Sequence, residues 1–128
     1  MGNTILLNKA APVEEWLSMS NLGTDCFFEL LVNVSDGMEM TNDQKLLIEF
    51  IANQKEINNV AAGTAGFEIE EDMPWGKRTL QEDKQFMLKL IEKAKDPESW
   101  KNLDYIPNAD IVVPWLDKFA DMIKKVKT

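Results

Sequence analysis

No histidine occurs in this sequence. Ser-His and Cys-His nucleophile pairs are therefore excluded, as are a histidine general base near neutral pH and the usual mixed zinc sites. Only one cysteine is present, Cys26, which rules out an internal disulfide framework. A reactive thiol needs an electropositive setting, whereas Cys26 stands between Asp25 and Phe27-Phe28-Glu29, so it reads as a core residue. No apolar run approaches about twenty residues, and no membrane span is expected. The start, MGNTILLNKAAP, has no basic region before its short apolar run, and Leu6 stands where a myristoylation motif beginning at Gly2 needs Ser or Thr. Neither a signal peptide nor an acyl anchor is predicted, and cytoplasmic residence is the default. EF-hand ligand spacing, a phosphate-loop lysine and an internal repeat are all missing, so no metal or cofactor is expected.

Basic residues are scarce in one half only. Up to Gly76 the chain carries three (Lys9, Lys45, Lys55) against thirteen acidic ones, a balance of −10. From Lys77 onward eleven basic residues face nine acidic ones, a balance of +2, giving −8 for the whole chain. An anionic first half repels nucleic acid and anionic lipid and attracts a basic partner, although solubility alone also favours acidic surfaces.

What is present predicts an all-α fold. With 128 residues, 45% of them hydrophobic and 28% charged, the chain fits one soluble domain over residues 1–128. On folding it should bury roughly two-thirds of its unfolded surface. The clearest element is Thr79 to Ala94, where Thr79 and Glu82 have the spacing of a capping box and Met87, Leu90, Ile91 and Ala94 form one stripe; the rest is expected to pack around it. A short helix is predicted from Pro12 to Gly23, followed by a central, nearly all-apolar one capped by Thr24 that carries Phe27, Leu30, Leu31 and Val34. A strand remains the alternative for that apolar run. Thr41 and Gln44 make a second capping box before a long helix, whose second half is weakened by Asn53, Gln54, Asn58 and Asn59. Asp110 to Val113 should be extended, because Pro114 disfavours helix before it, with the last helix opening at Pro114. The expected architecture is a compact bundle of four to five helices, with room for one small accessory sheet from the apolar runs near residues 5, 67 and 111.

Between these helices, TAGFEIEEDMPWG reads as a long loop, with a short strand allowed at Phe67 to Ile69. It gathers Glu68, Glu70, Glu71 and Asp72 beside Trp75, a residue type enriched at interface hot spots. Three readings of the cluster stand side by side: a solvated acidic loop, a partner-binding patch, and metal or catalytic carboxylates. For Trp75 the alternatives are an exposed anchor or a cover for the core. In character, the segment from Gly66 to Asn108, with EIEEDMPWG, TLQEDKQFMLKLIEKA and WKNLDYIPN, resembles the small acidic immunity proteins that bacteria carry against polymorphic or contact-dependent toxins. That resemblance implies a non-enzymatic inhibitor whose partner is a basic, nuclease-like toxin domain. Glu68, Glu70, Glu71, Asp72 and Trp75 are the expected contact residues, and occlusion of the toxin's active face is the expected mechanism. The alternative is a helical regulatory or adaptor module, or homodimer, with a pocket between helices for a small ligand or partner helix.

Overall fold

Asn3, Ile5, Leu17, Met19 and Phe67 are buried, and they explain why a largely helical chain keeps a sheet. The computed structural model describes residues 3–127, so the reading at Gly2 lies outside the described residues. Strand β1 (Asn3–Leu6) is central. It pairs antiparallel with β2 (Leu17–Met19), Ile5 opposite Leu17, and parallel with β3 (Gly66–Glu68), Ile5 opposite Phe67. Gly66 has φ +154°, and a Cβ there would sit 2.6 Å from the Thr4 carbonyl oxygen, so only glycine permits this approach of the two strands.

The helix predicted from Pro12 to Gly23 does not form. Only one 3-10 turn, Val13–Glu15, precedes β2, because Leu17 and Met19 are buried on either side of exposed Ser18, a period of two rather than 3.6. Helix α1 (Asn21–Ser35) then begins earlier than expected, capped by Ser20, whose Oγ accepts the Gly23 N–H at 3.1 Å. Thr24 lies inside the helix. Gly23 ends nothing; its missing side chain admits the Trp115 ring, which a Cβ would meet at 2.5 Å.

Helix α2 (Asn42–Val60) starts on the complete capping box of Thr41 and Gln44, as predicted. Its polar second half is no weakness, because Gln54 and Asn58 are buried and bonded. Asn58 accepts from Asn3 Nδ2 at 3.1 Å and donates to the Asn21 carbonyl at 2.9 Å, while Gln54 Oε1 accepts the Gly66 N–H at 3.1 Å. Asn3 also donates to Thr24 Oγ1 at 2.8 Å. These bonds tie β1, β3, α1 and α2 together, and the buried Asn3 amide nitrogen finds its partners in Thr24 and Asn58.

The segment expected as a long loop is shorter and more ordered. β3 runs directly into a one-turn helix, α3 (Ile69–Asp72). Helix α4 (Leu80–Ala94) follows with the predicted stripe buried, but the Thr79–Glu82 capping box is not made. The Thr79 hydroxyl instead lies 3.1 Å from carboxylate oxygens of both Asp43 and Asp83, drawn there because Asp83 is buried in the first turn of α4. A second 3-10 turn, Pro97–Trp100, leads to the connection before α5 (Ala109–Lys124).

Asp110 to Val113 is helical, not extended. Asn108 caps α5, its Oδ1 accepting the Asp110 N–H at 2.9 Å, and Val112 joins Leu116, Phe119 and Ile123 in the buried stripe. Burial of that stripe overrides the local bias against helix before proline. Pro114 leaves the carbonyl of Asp110, an exposed residue, without a helical partner. Hence the segments near 5 and 67 pair, the one near 111 does not, and the third strand comes from Leu17 to Met19.

Five α-helices and the three-stranded sheet make the described residues a mainly-α fold. α1 and α4 share its centre: α1 packs against α2 and α4, and α4 against α5. Phe27 contacts Phe28 and Phe119 edge to face at 5.7 Å, and Phe67 carries the packing to the sheet, 6.3 Å from Phe28 and 4.9 Å from Phe50. Lys84 of α4 is buried and donates to the Lys124 and Val126 carbonyls at 3.1 and 2.8 Å, closing the carboxyl end of α5. No helix among the described residues is long and apolar enough to cross a membrane.

Candidate functional site

Phe67 and Ile69 turn inward and so set the directions of the acidic residues around them. Glu68 and Glu70 are half-buried, while Glu71 and Asp72 are exposed. Asp72 Oδ2 accepts the Glu68 N–H at 2.8 Å and closes the single turn of α3. Glu70 is engaged by the fold: Oε1 accepts from Asn8 Nδ2 at 2.7 Å and Oε2 from the Lys127 N–H at 3.0 Å. Trp75 is half-buried against the core, its Nε1 donating to the Ile69 carbonyl at 2.9 Å, so only part of it is available to a partner. The five residues expected as one patch are close in space but divided. Glu70 and Trp75 line a hollow with Lys77, Leu80 and Val126; Glu68 and Asp72 line another with Thr4, Leu6 and Trp16. Among the described residues no three acidic or cysteine side chains come together in a metal-ligand arrangement.

The charges sort by half. Of the thirteen carboxylates up to Gly76, only Glu15 and Asp25 form ion pairs among the described residues, with Lys125 at 2.9 Å and Lys55 at 3.5 Å. In the second half Glu92, Glu98, Asp117 and Asp121 all pair with lysines, three of them at i,i+3 spacing along one element. Glu14, Asp36, Glu39, Glu49, Glu56 and Glu71 are exposed and lie outside those pairs. The lysines of the second half thus leave most of the first half's charge in place.

Cys26 lines a half-open, mainly apolar hollow where the amino ends of α1 and α5 meet the connection between Asp104 and Asn108. Its thiol is held by the Tyr105 carbonyl at 3.5 Å. Burial, then Glu29, then Asp25 push it up to about 11, so it stays protonated at neutral pH and is no nucleophile. The walls are Leu22, Tyr105, Pro107, Ile111, Val112 and Trp115, a set that sequence reading missed because it joins opposite ends of the chain. The one available signal was Tyr105-Ile106-Pro107, an apolar run in a connection that has no helical stripe to bury it.

Compared with models of known protein families, with curated proteins and with solved structures, the chain matches none.

Proposed function

We propose that this chain is a binding protein that makes and breaks no bonds itself and acts by docking onto a basic protein partner, as an immunity protein docks onto a toxin domain. One observation carries this reading: the first half holds thirteen carboxylates, and only two of them form ion pairs with a lysine among the described residues. A surface left anionic on a well-packed body attracts a cationic partner at long range and fixes its orientation on contact. Glu68, Glu71 and Asp72 belong to that surface; Glu70 contributes mainly by anchoring α3, and Trp75 by covering the core behind it.

The test is co-expression with the product of the adjacent reading frame in a bacterial host, followed by association kinetics of the purified pair. Rescue of growth is expected, with an association rate that falls about tenfold or more between about 0.05 and 0.5 M salt. Changing Glu68→Gln, Glu71→Gln and Asp72→Asn together should slow association further. No rescue, together with binding indifferent to salt, would retire the proposal.

A further inference from the structure

Seven large apolar side chains are exposed among the described residues, and four of them gather at one place. Leu22 (57% exposed), Tyr105 (50%) and Ile111 (47%) line the hollow above Cys26, and Ile106 (59%) lies in the same connection. The other three, Val13, Leu46 and Val60, line no part of it. Single exposed apolar residues need no explanation, but a rim of them around a cavity marks a contact surface.

Size decides what enters. The cavity measures about 110 Å³, whereas sites for cofactors and drug-sized ligands start at about 300 Å³. It has room for one large side chain, which is how interface hot spots are commonly built: an anchor in a desolvated pocket. Trp115 and Gly23 line it side by side, the Trp115 ring occupying the space that a side chain at position 23 would need.

Charge decides what surrounds that anchor. No basic residue occurs from Ala10 to Gln44 or from Asn102 to Asp117, the two stretches that form the walls. Asp104 and Asp110 bracket the Tyr105–Asn108 wall and are exposed, and Glu29, half-buried, accepts the Asp104 N–H at 3.2 Å. Asp25 is matched by Lys55. The rim is therefore apolar inside and anionic outside.

We propose that this cavity receives one large apolar side chain from the basic partner, with Lys or Arg residues flanking that anchor meeting Asp104, Asp110 and Glu29. The inference rests on the basic-partner reading and moves its centre from the α3 carboxylates to the mouth between α1 and α5.

The experiment maps amide shifts of the isotope-labelled full chain on titration with three synthetic helical peptides. One presents leucines flanked by lysines, the second has glutamate in place of lysine, and the third alanine in place of leucine. Binding of the Lys/Leu peptide is expected to shift Leu22, Tyr105 and Ile111, and either replacement should weaken it about tenfold or more. Leu22→Ser with Ile111→Ser, both at exposed positions, should abolish that binding while leaving the remaining spectrum intact. If the Lys/Leu peptide shifts Glu71 and Asp72 instead, the cavity is overturned and the basic-partner reading stands. If the Glu/Leu peptide fills the cavity as tightly, the basic partner is overturned and an apolar pocket stands. If none of the three binds at millimolar concentration, the inference fails outright.

Discussion

The halves on either side of Gly76 use their polar residues in opposite ways. Up to Gly76, uncharged amides do the structural work: Asn3, Gln54 and Asn58 are buried and bonded across four elements, while most carboxylates remain outside ion pairs. After Lys77, charges do that work. Lys84 closes the end of α5, and Lys95, Lys101 and Lys124 neutralise carboxylates beside them. A fold that holds its first half largely with neutral bonds leaves the exposed part of that half's negative charge, outside Glu70, Asp72 and the two ion pairs, available to something outside it.

The comparison breaks most visibly at Asn58. Asn58→Ala leaves the buried Asn3 Nδ2 with Thr24 but without Asn58, and the Asn21 carbonyl without its side-chain donor, and a cost of about 1–3 kcal/mol is expected. Urea unfolding with an unchanged slope measures it; a loss below about 0.5 kcal/mol would mean that the amide network does not hold the first half.

Alkaline pH sharpens the contrast. The Cys26 thiol is raised from 9.0 to about 11 in the fold, so the unfolded chain releases this proton first. Stability contributed by the thiol is fully present below pH 9 and is lost as pH rises towards 11. Lys95 is also raised, by the hydrogen bonds it donates to Asp117 and then Glu92, and because that ion pair lies at the surface it adds little. Cys26→Ala should remove most of the decline between pH 9 and 11, as read by thermal melts, and a decline unchanged in this variant would contradict the assignment. Smaller again is Lys84→Met, which keeps the packed stem but loses the bonds to the carbonyls of Lys124, the last residue of α5, and of Val126 just beyond it; about 1–2 kcal/mol is expected, concentrated in the protection of amides near Lys124.

Much of the helical content was legible because long helices carry redundant signals. The α4 stripe and the Thr41–Gln44 box each stated the same element twice. Where one local signal stood alone, tertiary packing overrode it. Thr79 turned from its own helix to Asp43 and Asp83, Pro114 was absorbed into α5, and Pro12 opened only a single turn because Leu17 and Met19 were needed in the sheet. The acidic run was legible as a cluster but not as a surface, since the inward turn of Phe67 and Ile69 sends Glu70 and Asp72 to different hollows. The cavity was invisible because Leu22 and Tyr105 have no relation until α1 and α5 pack.

The smallest effect discriminates most finely, because it compares one charge from each half. Lys95→Gln removes a cation bonded to Asp117 at 2.8 Å and to Glu92 at 3.3 Å, both across exposed surface, so a loss of up to about 0.5 kcal/mol is expected. Glu71→Gln removes an exposed carboxylate for which no ion pair is found among the described residues, from a half carrying −10. There the self-repulsion of like charges predicts no loss, or a gain of a few tenths of a kcal/mol, and added salt should shrink the difference between the two variants. If Glu71→Gln proved the costlier change, that carboxylate would be serving the fold, and the charge assigned to a partner would have to be reassigned to the protein's own stability.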